Sequence, residues 1–331
     1  MNAINTFLAD ILSGINSIVQ NYGWSIVAFT VLIKLVLFPL DLKSRKSMRR
    51  MSSLQPQIAK LQKKYANDKE KLNQKTAELY RKERINPLSG CLPMLISFPV
   101  LIAMFAAMRM VANTELAKQA LDLITTGTQR NESWLWVQNL WMPDSPFSAV
   151  IVDQNSLKQI TVDIWQKVYD SLSSTDVLTS LQITRDTINS ETVFAALQSS
   201  AAYATEMASW ATMPELNLLL VKLTIFAHNN GFFILPVLAA VTQYLMTLTQ
   251  PQTTTMSTDA SNPTASTNKF MKWFFPIFSL YICSSYNAGF SIYWVMANLI
   301  SWGQGLVLNR YFDLQDQKKQ ALEAVGEESL R

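Results

Sequence analysis

Residues 24–39 read WSIVAFTVLIKLVLFP, and this stretch decides the fold class. Apart from Ser25, Thr30 and Lys34, every position in it is apolar. With its flanks it forms an apolar run over 22–42, and further runs lie at 91–112, 231–249, 270–285 and 288–308. A hydrocarbon core about 30 Å thick needs roughly 20 helical residues, within a range of about 17–25. Four runs reach that range. The run at 270–285 is marginal and gains support from a tight hairpin with the last run through 286–289. Backbone N–H and C=O groups cannot stay unpaired in lipid, so each run is expected to be a helix. Alternating barrel-type segments are absent from the sequence. The expected fold is all-α integral membrane, with five transmembrane helices.

Lys and Arg near span ends set orientation. Residues 43–84 carry fourteen Lys or Arg against four acids, whereas 113–230 carry six against twelve. The first loop is therefore expected in the cytosol and 113–230 outside. A short cytosolic loop then covers 250–269 and a cytosolic tail 309–331, with the N-terminus outside and the C-terminus inside. Residues 1–20 lack a basic n-region and a small-residue cleavage site, so they read as an amphipathic helix rather than a leader. Ile4, Phe7, Leu8, Ile11, Leu12, Ile15, Ile18 and Val19 share one face at helical spacing. An interfacial helix on the membrane fits that pattern. Packing on the protein's own soluble part fits it too, because the polar face carries no Lys or Arg.

The net charge of +4 is concentrated in the first loop, where anionic lipid headgroups rather than nucleic acid are the nearest partner. Within that loop Met48, Met51, Leu54, Ile58, Leu61 and Tyr65 recur at three- and four-residue steps, and Leu72, Leu79 and Tyr80 follow a turn at Asn67-Asp68. An antiparallel helical hairpin with one apolar seam accounts for this spacing. Pro56 should start a helix there or kink one. A solvated spacer that only fixes orientation is the alternative.

Little in the chain suggests reaction chemistry. There is a single histidine, His228, and the two cysteines, Cys91 and Cys283, fall toward opposite sides of the bilayer, which rules out a bridge between them. Metal-ligand spacing, a Ser/His/Asp arrangement and a Gly-rich phosphate loop are all missing, so neither an enzyme nor a metal or cofactor is expected. The charge that needs explaining is Lys34. A basic residue at the centre of a span costs roughly 2.5–3.5 kcal/mol. Lys34 lies about 9 Å from Leu40 at 1.5 Å per residue, within reach of a snorkelling side chain. Thr30 sits one turn earlier on the same face, and two polar groups on one face suggest a water-accessible cavity. Ser97 (between Pro93 and Pro99), Gln243, Ser291, Asn298 and Gln304 are candidate walls. Each also fits as interhelical hydrogen-bonding glue, worth about 1 kcal/mol or less. Arg109, near the outer end of the second run, is explained by snorkelling.

Leu54-Gln55-Pro56-Gln57-Ile58, then Asn86-Pro87-Leu88-Ser89-Gly90-Cys91-Leu92-Pro93 running on to Phe98-Pro99, resembles the signature of YidC-type insertases of the Oxa superfamily. The run from Gly23 through Lys34 to Pro39-Leu40 is similar to that family's first span, and Tyr286 through Leu299 to its last. The resemblance covers about 1–146 and 231–312. It implies five helices around a hydrophilic groove open to cytosol and lipid, with one positive residue, matched here by Lys34. Arginine is common at that position, and lysine keeps the charge without the bidentate fork. Thr30 and Ser97 match groove-lining positions, while Gln243 and Asn298 are the added candidates. The implied activity is insertion and chaperoning of proteins in the bacterial plasma membrane. The implied partners are nascent membrane proteins and the lipid bilayer, with the Sec translocon and the ribosome as further ones.

The sequence departs from the family outside the membrane. Trp136–Leu140 and Pro143–Pro146 resemble a segment that leads directly into the third span, yet here that span waits until 231, leaving 147–230 as an insertion. Leu157, Ile160, Ile164, Val168 and Leu172 suggest an amphipathic helix within it, and the apolar stretch Leu216–Ala227 is too short for a span. The tail after Asn309, with four basic and five acidic residues, is unlike the long basic tails of some relatives. A small-solute or ion transporter using Lys34 as an anion or proton-coupling site is the competing reading. It would predict paired half-helices or an internal repeat, and neither is visible. A third reading, a membrane-anchored scaffold, leaves Lys34 and the prolines of the second run unexplained.

Overall fold

The computed structural model describes residues 2–83, 92–210, 213–218, 221–250 and 263–328. The chain is mostly helical. The elements are α1 (Asn2–Val19), α2 (Tyr22–Ser53), α3 (Gln55–Lys64), α4 (Lys69–Lys82), α5 (Leu92–Thr126), α6 (Gln154–Leu157), α7 (Val162–Asp170), α8 (Asp176–Ser180), α9 (Ser190–Ser199), α10 (Ala201–Trp210), β1 (Glu215–Leu218), β2 (Val221–Thr224), α11 (Ile234–Thr249), α12 (Pro263–Ser285) and α13 (Ala288–Glu328).

Several helices outrun the apolar stretches that announce them. Helix α2 continues through the basic residues to Ser53, and α5 continues to Thr126. Helix α12 begins at Pro263, inside a stretch read as loop, and α13 runs on through the expected tail. At 1.5 Å per residue the 32 residues of α2 span about 48 Å. Hydrophobic length limits how much helix lies in lipid, but nothing in it ends the helix at the lipid boundary. By length and apolarity alone, one stretch among the described residues qualifies as a span, Tyr22–Lys64, while Ala3–Val19 and Ile234–Thr249 are apolar but shorter. Pro39, Pro99 and Pro276 lie inside helices, each removing one N–H from the ladder.

The chain divides into two compact units. The first comprises 1–30, 101–239 and 279–294. Its helix α1 buries Leu8, Ala9 and Leu12 against the protein while leaving Ile4, Phe7 and Ile18 exposed. Loop 132–146 is held by buried amides. Asn139 and Gln119 exchange side-chain hydrogen bonds at 2.9 and 3.1 Å. Asn230 accepts from the Asn139 amide at 2.6 Å and donates to the Asn139, Met142 and Pro143 carbonyls. Buried Asp144 accepts from the Phe232 and Leu235 amides, so its carboxylate caps the start of α11. A Cβ at Gly231 would lie 2.0 Å from Asp144 Oδ1, which explains glycine there.

The insertion forms a cap with a core of its own. Leu157, Trp165, Leu178, Val193 and Leu197 are wholly buried. The periodic stretch from Leu157 breaks into two helices, with Thr161 as the N-cap of the second, yet Leu157, Ile160 and Val168 are buried as the spacing predicts. The apolar stretch after Glu215 is an antiparallel hairpin, with Leu216 opposite Leu223. The cap leaves and rejoins the loop at one place: Phe226 N donates to Pro146 O, Val150 N to His228 O, and Asn230 N to Ser148 O. Its inner edge rests on α5, where Arg109 donates to Gln159 Oε1 at 2.9 Å and Asn113 to the Gln159 carbonyl at 3.0 Å. Arg109 therefore has a specific partner, which snorkelling alone does not supply.

The second unit comprises 31–100, 240–278 and 295–331. Pro56 starts α3, and Asp68 caps α4 by accepting from the Lys71 amide. Met51, Leu54 and Ile58 are buried, whereas α4 buries no residue, so the seam of the basic hairpin is closed on one side only.

Candidate functional site

Along the apolar runs of the second unit, several polar side chains are buried while large aliphatic ones are exposed. Leu35 and Val36 on α2 are 64% and 68% exposed, and Ile277 on α12 and Val307 on α13 are exposed to a similar degree. Thr242, Gln243, Thr249, Asn298, Ser301 and Arg45 are buried. Burying polar groups while exposing large aliphatic ones is unfavourable in water and favourable where lipid is the solvent.

Lys34 belongs to this polar interior. Its position among β-branched and leucine neighbours on α2 turns Leu35 and Val36 outward and the ammonium inward. Nζ donates to Ser301 Oγ at 2.7 Å. The charges that act on it are Asp41 and Arg45, both further along the same helix. Asp41, at the end of the first apolar run, supplies an acid that reading the run alone left out of account. Lys34 forms no ion pair among the described residues, so its charge remains available.

The other sequence-derived candidates take different places. Asn298 is buried, and its Nδ2 lies 3.4 Å from Thr242 Oγ1. Gln243 is buried on the next residue of α11. Thr30 belongs to the first unit, is wholly buried, and donates to the Ile26 carbonyl at 2.7 Å, so its hydroxyl is satisfied within its own helix. Ser291, also in the first unit, donates to the Cys283 carbonyl at 3.1 Å. Ser97 lies on α5, but its side chain is outside the described residues, as are residues 86–91 of the signature, Cys91 among them.

Two residues that sequence reasoning missed complete the site. Ser301 is the direct partner of Lys34. Arg45, 5% exposed, donates from Nη2 to the Ser301 carbonyl at 3.1 Å and from Nη1 toward the Thr249 carbonyl at 3.4 Å. Thr249 ends α11, so its carbonyl has no partner in its own helix, and Asn309 Nδ2 also reaches it at 3.0 Å. A Cβ on Gly305 would lie 2.4 Å from Thr249 Oγ1 and 3.1 Å from Arg45 Nη1, so glycine leaves room for the Thr249 side chain above all and eases the approach of the guanidinium. One turn along, Arg49 pairs with Asp313 and Asp316 and lies over the Phe312 ring, fixing the polar C-terminal part of α13 to that of α2. Arg45 was one basic residue among fourteen in the loop, and nothing in composition set it apart.

This is the construction of a helical membrane protein with a charged, hydrogen-bonding interior. The comparison with known families gives the class a name: the family described as 60Kd inner membrane protein matches residues 14–317, and the chain belongs to it. Among its relatives, a membrane protein insertase YidC of Fusobacterium nucleatum is 50% identical over 108 residues, 33% of this chain and 53% of that protein. One of Polynucleobacter asymbioticus is 41% identical over 143 residues, 43% of this chain and 23% of the relative. A third, from Leptospira interrogans, is 41% identical over 126 residues, 38% of this chain and 18% of the relative. The matched stretch thus spans about half of the first relative and under a quarter of the other two.

Proposed function

We propose that the chain inserts other proteins into the bacterial plasma membrane and assists their folding there. The observation that carries this reading is Lys34, an ammonium held inside the second unit by Ser301 and left without an ion pair among the described residues, under an exterior of exposed aliphatic side chains. In this reading five helices cross the bilayer, by 22–42, 91–112, 231–249, 270–285 and 288–308, around a groove open to cytosol and lipid. Lys34, Gln243 and Asn298 line it, and Thr30 and Ser97 join them on the resemblance. A passenger's short polar leading segment enters the wet groove, its acidic residues drawn by Lys34. The passenger's apolar helix then moves sideways into lipid. Shortening the dry path that polar groups must cross lowers the barrier, because each unsatisfied polar group in hydrocarbon costs several kcal/mol. The names of the relatives support the activity, and the basic loop 43–84 supports the N-out, C-in orientation.

Vesicles containing only this protein and a single-span passenger test the reading. Wild type and Lys34→Arg should insert a passenger with an acidic leading segment, and Lys34→Glu should lower its yield about tenfold or more. Equal yields from the Arg and Glu variants would remove Lys34 from the mechanism.

A further inference from the structure

Of the described arginines in the 43–84 loop, only Arg45 is buried. It lies about 16 Å along α2 from Lys34 by helical rise, yet both side chains end on Ser301, one on its hydroxyl and one on its carbonyl. Helical side chains lean toward the N-terminus, so Arg45 reaches back toward Lys34, while the long Lys34 chain runs against that lean to Ser301. The guanidinium carries five N–H donors. The partners it has are neutral carbonyls, and its Nε is buried without a hydrogen-bond partner. Gln304 Oε1, near Ser301 on α13, is buried without one as well. Two cations therefore converge on one residue, Asp41 is the acid that acts on both, and no carboxylate is bonded to either among the described residues.

Unsatisfied buried donors are costly, and a charged one more so. Beside a second cation, an anion is the ligand whose charge would offset that cost most. An arginine meant for lipid headgroup phosphate would sit at the surface, whereas this one is nine-tenths buried among polar side chains. We propose that Arg45 is a second substrate-binding cation: its Nε, covered in this structure, takes an acidic side chain of the passenger's leading segment when the side chains over it part, while Nη2 holds Ser301 in place for Lys34. Passengers with two acidic residues in the leading segment gain most from the pair. This inference rests on the insertase reading.

Two readouts separate them. In phosphatidylcholine vesicles, insertion is measured for passengers that differ only in having no, one or two aspartates in the leading segment. Arg45→Gln should lower the ratio of two-aspartate to aspartate-free insertion about tenfold, and Arg45→Lys should restore most of it. An unchanged ratio, or a loss equal for all passengers, would overturn the role, as would a dependence on Arg45 that appears only when anionic phosphatidylglycerol is added. The second readout needs no insertion: a fluorescent peptide carrying two aspartates, and its asparagine counterpart, are titrated against the protein in nanodiscs. Wild type should prefer the aspartate peptide, and Arg45→Gln should reduce that preference about tenfold. If wild type fails to insert any passenger but shows this Arg45-dependent preference, the insertase reading falls and the anion site stands. If it inserts passengers and the preference ignores Arg45, the anion site falls alone.

Discussion

In the cap, Leu157, Trp165, Leu178, Val193 and Leu197 are wholly buried, while Asp163, Lys167, Arg185 and Glu191 face out. In the second unit, Thr242, Gln243, Asn298, Ser301 and Arg45 are buried, while Leu35, Val36, Ile277 and Val307 face out. At these positions one chain sorts the same residue types in opposite directions, although the second unit also buries Met51, Leu54, Ile58, Leu308 and Phe312. Water drives the first arrangement, since apolar side chains gain roughly 1.5–3 kcal/mol each by leaving it. Lipid tails are as apolar as leucine, so in the second unit there is no gain in hiding Leu35, and the polar groups are the ones that must find partners inside. The difference tells which solvent each region was built for, without a membrane having to be present.

Removing a large side chain from the water-built core should have the largest effect. Trp165→Ala removes a wholly buried indole whose Nε1 donates to Ser190 Oγ at 3.1 Å, and should destabilise the cap by about 3–5 kcal/mol. Limited proteolysis should then cut within 147–230 while the membrane helices stay protected. If protection of both falls together, the cap does not have an independent core. A charge on the lipid face comes next. Val307→Asp should cost about 2.5–3.5 kcal/mol if lipid covers that face, against about 0.5 kcal/mol or less on a watered surface. The yield of membrane-integrated protein distinguishes the two, and an unchanged yield would place Val307 in water. The smallest expected change is Asn298→Leu, which loses the long contact to Thr242 and should cost about 0.6 kcal/mol in detergent unfolding. A loss several times larger would show that Asn298 supports more than a helix contact.

Much of the site was legible because lipid makes charge conspicuous. Lys34 is the lone ionisable group in WSIVAFTVLIKLVLFP, so its cost in hydrocarbon marks it at once. Asn298 and Gln243 show for the same reason, as amides within apolar runs. Arg45 is hidden by the opposite circumstance, lying in a loop where basic residues are common and cheap. Ser301 is equally hard to see, since a serine in a span has many innocent uses. The amide network of Gln119, Asn139 and Asn230 joins residues up to 111 positions apart, with one amide in each of three otherwise ordinary stretches.

The amino-acid sequence by itself determined that this is a helical membrane protein, where its long apolar runs lie, which loop carries the basic residues, and that Lys34 sits deep among the apolar residues of the first run. Those are properties of local composition and period, which a bilayer reads residue by residue. Only the tertiary structure decided that helices run far past the apolar stretches, that the insertion closes on itself with its own core, and that Arg45 joins Lys34 at Ser301. These depend on which side chains meet across long separations in the chain, and a buried guanidinium is told from an exposed one only by what folds over it.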